Sequence, residues 1–185
     1  MSNVSHLKGV LAMNRRTFII TALAAVFATA ASADAIDPCS LLSDAEMVEL
    51  GLSKDSVPSR ESQPGGAQAC KYQIRSGAAS DGTVSIILSQ AVPERVLQLL
   101  ALQAKVRAES TPTQQQARGE YFEDKVMCKV VLASEQETSQ CLGASKQSVV
   151  ALAVSRPTLT HEVTYPASQL RIMATLVSRV ASRGG

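Results

Sequence analysis

Cys70-Lys71-Tyr72-Gln73-Ile74-Arg75, a turn-rich interval at 76–82, and then Thr83-Val84-Ser85-Ile86-Ile87-Leu88-Ser89 form the stretch that decides the fold. The first segment alternates in character and the second is rich in β-branched residues. Successive side chains of an extended chain point to opposite faces, so both segments read as strands. Only an antiparallel arrangement can be joined by so short an interval, which makes the pair a hairpin. The pattern returns downstream, where residues 120–122, 125–133 and 148–155 read as three more strands. Val126, Cys128, Val130 and Leu132 share one face of the middle strand, which aims Cys128 at the core. A short strand near Cys141 would bring a second sulfur close to it. Pro157 ends the last strand.

Helical signals lie around these strands. Ser43 followed by Glu46 is a capping box, Leu42 and Met47 are spaced as a hydrophobic staple, and Gly51 supplies a left-handed stop. The spacing predicts a short helix over 43–50. Residues 53–69, rich in Ser, Pro, Gly and Gln, read as a loop with room for one edge strand. Pro93 suits the first turn of a second helix, one side of which carries Val96, Leu99, Leu100, Gln103 and Val106. Residues 110–117 read as a polar connector. Leu170, Met173, Ala174, Val177, Val180 and Ala181 recur at three- and four-residue spacing, predicting an amphipathic C-terminal helix whose apolar stripe packs on the sheet. Arg171, Ser178, Arg179 and Arg183 lie mostly off that stripe, and basic residues near the end suit the helix dipole. The sum is an α+β chain, a two-layer sandwich of antiparallel sheet covered by about three helices.

The front of the chain reads differently. Met13-Asn14-Arg15-Arg16-Thr17 is short and basic, residues 18–30 are uninterruptedly apolar, and Ala31-Ser32-Ala33 has the small-residue pattern of a signal-peptidase site. Cleavage is expected between Ala33 and Asp34, leaving 34–185 as one exported domain without a stable membrane anchor. The apolar run is much shorter than the roughly 20 residues that span a bilayer. Met13 would make a natural start, leaving residues 1–12 as an upstream extension or the product of a mis-called start codon. Arg15-Arg16-Thr17-Phe18-Ile19 also resembles the twin-arginine export signal, which implies export after folding, often with a cofactor loaded.

Three of the 18 Lys and Arg residues and none of the 16 acids precede residue 34, so the mature part carries 15 basic and 16 acidic residues, net −1. That balance, with only Tyr72, Tyr121, Phe122 and Tyr165 as aromatics and no Trp, argues against nucleic acid as partner. Cys39, Cys70, Cys128 and Cys141 all follow the cleavage point. An even count in a small exported chain predicts two disulfides and a periplasmic or secreted address. Of three possible pairings, Cys39–Cys70 and Cys128–Cys141 are local. The second closes a loop of about 14 residues, worth roughly 3 kcal/mol by chain entropy. The wide spacings argue against a four-thiolate zinc site.

Catalytic residue types are sparse. His161 is the one histidine after the leader, a candidate for the general base of a small hydrolase. No G-x-S-x-G nucleophile context accompanies it. With Glu162 it lacks the further ligands a metal site needs. Glu120, Glu123 and Asp124 form an acidic cluster that reads as a solvated turn rather than a glycosidase pair. Gln63-Pro64-Gly65-Gly66-Ala67 lacks the Lys-Ser/Thr ending of a phosphate loop. No cofactor or metal is expected.

Asp37-Pro38-Cys39-Ser40-Leu41-Leu42-Ser43, then Ala45-Glu46 and Leu50-Gly51, then Cys70-Lys71-Tyr72, is similar to a recurring layout. It resembles small exported proteins and lipoproteins of unknown function whose mature chains open D-P-C-x-L-L-[ST]-x-x-E and later present C-x-[WY]. The likeness spans about residues 36–90. It implies a Cys39–Cys70 bridge and a helix-on-antiparallel-sheet sandwich, with no catalytic residues to transfer. Ile36-Asp37-Pro38 is not the small-residue context of a lipid-attachment site, so Cys39 reads as a disulfide partner. The chain is thus expected to be a periplasmic binding or interaction module, taking a protein, peptide or envelope component. The alternatives are a hydrolase built on His161 and a cofactor-loaded twin-arginine substrate.

Overall fold

A computed structural model describes residues 36–76, 79–89, 94–123, 125–133, 135–145, 148–158 and 166–183. A 3-10 turn at Pro38–Ser40 leads into helix α1 (Asp44–Glu49), followed by strands β1 (Ser59–Ser62), β2 (Gln68–Ser76) and β3 (Ala79–Ser89). Helices α2 (Glu94–Glu109) and α3 (Pro112–Ala117) precede β4 (Glu120–Glu123), β5 (Val126–Ala133), β6 (Gln136–Ala144) and β7 (Val149–Pro157), and α4 (Ala167–Arg183) closes the fold. The strands form one seven-stranded sheet in the order β1-β2-β3-β7-β6-β5-β4. Every neighbouring pair is antiparallel.

Pleating divides the side chains between two faces. The inner face carries Cys70, Tyr72 and Ile74 of β2, Val84, Ile86 and Leu88 of β3, Val150, Leu152 and Val154 of β7, Cys141 of β6, and Val126, Cys128 and Val130 of β5. Roofing it are Leu41, Met47, Leu50 and Leu52 from the N-terminal segment and Leu170, Ile172, Met173, Leu176 and Val180 from α4. Burial of these side chains is the main favourable term in folding, at roughly 25 cal/mol per Å² removed from water.

The capping box holds. The Ser43 hydroxyl accepts from the Glu46 N–H, the Glu46 carboxylate accepts from the Ser43 N–H, and Gly51 leaves the helix at φ +80°. α4 differs in detail from its sequence stripe. Ile172 and Leu176 join the buried set and Ala181 is exposed, because the helix touches both the sheet and the N-terminal segment and so buries a wider face.

Two further features differ from expectation. The connector at 110–117 contains a fourth helix, α3, started by Pro112 at its first turn and a Thr111–Gln114 capping box. The helices also lie on both faces of the sheet rather than forming a uniform second layer. Val96 and Leu100 of α2 pack with Ile87, Leu142, Ala144, Val149 and Ala151, all on the outer face. The cause is in β7, whose Val149-Val150-Ala151-Leu152 is apolar on both sides and demands cover on both.

Candidate functional site

Cys39 is bonded to Cys70 and Cys128 to Cys141, the two local pairings. Cys128 and Cys141 are register partners on adjacent strands, with Cα atoms 3.9 Å apart. Both sit inside the core beneath α4. Around Cys39 a polar knot fixes the N-terminal turn. Asp37 accepts from the Cys39 N–H at 2.9 Å and from Arg60 at 2.9 Å, and the Tyr72 hydroxyl donates to the Cys39 carbonyl at 3.1 Å. The Arg60 hydrogen bond holds the Asp37 carboxyl below its ordinary range, against a smaller opposing effect of burial. Burial pushes the Tyr72 phenol up, with the nearby Asp37 charge acting the same way. These groups anchor backbone.

Of the acidic cluster, Glu120 and Glu123 lie on opposite sides of β4. Glu120 projects from the outer face beside Lys129 and is engaged by Arg118 at 2.9 Å and Lys129 at 3.8 Å. Glu123 is three positions on, hence on the opposite side of the strand, and exposed. Residues 63–67 make the β1–β2 turn, closed by the Gln63 N–H on the Ala67 carbonyl. Ala33, Asp34, Asp124, His161 and Glu162 lie outside the described residues. Among the described residues no group of three or more His, Cys, Asp or Glu is placed to hold a metal ion, and no helix is long and apolar enough to cross a membrane.

Sequence reading missed the work done by the arginines of α4. Arg171 pairs with Glu49, Arg179 donates to the Leu41 carbonyl at 2.6 Å and to Glu46 at 2.5 Å, and Arg183 donates to the Ser40 hydroxyl at 3.0 Å. Arg156 of β7 likewise donates to the Leu50 carbonyl at 2.7 Å, satisfying an end-of-helix acceptor. The spacing of the arginines along α4 was visible, but their partners lie more than a hundred residues upstream.

Among the described residues, helices cover only part of the outer face. One end is apolar and covered by α2. The other end carries mainly uncharged polar side chains, with Lys129 and the exposed Val131 at its β5 edge, and register brings them into rows. Thr83 lies opposite Ser155 and Ser155 opposite Thr138, while Ser85, Ala153, Gln140 and Lys129 form the next row. All of these are half-buried, and the Thr138 and Ser155 hydroxyls are 3.1 Å apart. Lys129 with Glu120 borders the patch on one side and Lys71 on the other. A groove between the end of α2 and α3, lined by Val106, Glu109, Ser110, Gln114 and Arg118, lies nearby in the chain. Arg107, in the same stretch, lies over the Phe122 ring at 5.8 Å. Hydrogen bonds from Gln115 to the Arg107 and Ser110 carbonyls, and from Arg118 to the Ser110 hydroxyl, tie the groove's two walls together.

Comparison with known protein families, with curated proteins and with solved structures gave no match.

Proposed function

We propose that the chain is an exported, periplasmic binding module whose polar outer sheet face receives a segment of a protein or peptide partner. The observation that carries this reading is the division of one sheet face into an end roofed by α2 and an end of half-buried Thr, Ser, Gln and Ala side chains. Small hydroxyl groups on a rigid sheet lose little rotamer freedom when contacted, and with the Gln140 amide they offer both donors and acceptors. Four strands at about 4.8 Å spacing make the patch roughly 15 Å across, the width of one extended or helical segment rather than of a globular partner. Glu46 and Glu120 are engaged by arginine and lysine, which favours recognition over bond-making at these two groups.

The leader sequence and the two bridges support an address outside the cytosol. The test is retention of a partner from envelope extract on immobilised residues 34–185. Introducing Thr138→Lys together with Gln140→Lys should abolish retention while leaving circular dichroism and melting temperature within error of the parent. Retention unaffected by the two lysines, or no partner captured by the parent over repeated baits, would sink the reading.

A further inference from the structure

The Cys128–Cys141 bridge is sealed inside the fold, while Cys39 of the other bridge is half-buried, and the sealed pair bears on how the chain leaves the cytosol. We infer that residues 1–33 send the chain through the general secretory route in an unfolded state, with Arg15 and Arg16 acting only as the basic charge of an ordinary leader. The inference rests on the proposed export. Cys70 and Cys128 are fully buried and Cys141 is 2% exposed. α4 lies directly over β6. A side chain at Gly143, two residues from Cys141, would meet Val177 and Met173 of that helix.

Each bridge forms by exchange. One thiolate attacks a sulfur of a donor disulfide, the second thiolate displaces the donor from the mixed disulfide, and the donor leaves as a dithiol carrying the two electrons. The donor here is a disulfide-exchange protein of the envelope. Its sulfur must approach the cysteine in line, which a packed α4 and a closed core forbid. Oxidation therefore precedes docking of α4. The cytosol keeps thiols reduced. A domain carried across already folded, as the twin-arginine route requires, would arrive with Cys128 and Cys141 as a sealed pair of thiols.

The experiment is pulse-labelled processing of the full chain in a bacterial host. Conversion to the mature form should proceed at the parental rate in cells lacking the twin-arginine translocase, and in the Arg15→Lys, Arg16→Lys double variant. Precursor should accumulate when azide inhibits the secretory ATPase, and the mature form should carry no free thiol. Precursor accumulating in the translocase-deficient cells, or with the paired lysines, would overturn the inference and leave export standing. An uncleaved chain held in the cytosol of untreated cells would overturn export itself, and the route with it.

Discussion

Glu46 concentrates three duties on one side chain. Its carboxylate closes the capping box of α1 on the Ser43 N–H and hydroxyl, and it receives Arg179 from the far end of the chain. Burial works to raise its pKa, but the hydrogen bonds from Arg179 and Ser43 outweigh it, and the group sits below its ordinary value of 4.5. Asp37 is depressed in the same sense from 3.8, chiefly by Arg60. A carboxyl whose folded pKa lies below its unfolded one stabilises the fold in full above the unfolded value. The contribution then drains away as pH falls through the folded value. Melting temperature should therefore hold from pH 7 to about 5 and decline below about 4. Glu46→Gln keeps a capping-box residue but loses the ion pair, and should cost about 0.5–1 kcal/mol at pH 7. It should also shallow the acid decline. Melting curves between pH 3 and 7 for the two proteins decide the point, and an unchanged acid slope in the variant would refute the linkage.

Between elements, the seating of α4 on β6 depends on Gly143. A Cβ built there would stand 2.6 Å from Val177 Cγ2 and 3.3 Å from Met173 Cε, so a larger residue must displace the Val177 side chain or lift the helix. Gly143→Val should destabilise by about 1–3 kcal/mol, as overpacked cores do, and adding Val177→Ala should recover part of the loss. Urea denaturation of the single and double variants measures both, and simple additivity would show that the helix does not bear on this position. Elements of this kind differ in how legible they were. The α1 capping box and the apolar stripe of α4 are each written within a dozen or so residues, and the β2–β3 hairpin within the stretch from Gln68 to Ser89, where local physics dominates. α3 was legible too, since Thr111-Pro112-Thr113-Gln114 has a capping-box ending behind Pro, but its polar composition masked the signal. The two-sided cover was announced by the unbroken apolar run of β7. The outer patch was not legible, because Thr83, Thr138 and Ser155 meet only through the β3–β7 and β6–β7 registers. Nor were the arginine partners of α4, set by tertiary approach alone.

Seen whole, the sheet is two antiparallel halves joined at one ladder, β3 against β7. Neither disulfide crosses that ladder. Cys39–Cys70 ties the N-terminal turn to β2, and Cys128–Cys141 ties β5 to β6. The roof is divided likewise, with the N-terminal turn against β2 and β3 and α4 against β4 to β7. The two roof pieces are laced by Arg171–Glu49, Arg179 with Glu46 and Leu41, and Arg183–Ser40. Removing one bridge should therefore loosen its own half first. Cys39→Ala with Cys70→Ala opens a closed loop of 31-residue separation, worth about 3–4 kcal/mol by chain entropy. The solvent-laced N-terminal segment should yield before the core strands. Native-state hydrogen exchange should show amides of residues 36–52 exchanging faster in that variant while β5 and β6 keep their protection. Cys128→Ala with Cys141→Ala should cost about 3 kcal/mol, with its effect centred on β5, β6 and the α4 that covers them. Exchange rising equally in both halves for either variant would mean that the β3–β7 ladder and the arginine lacing bind the sheet into one cooperative unit, and that the bridges strap the whole rather than its parts.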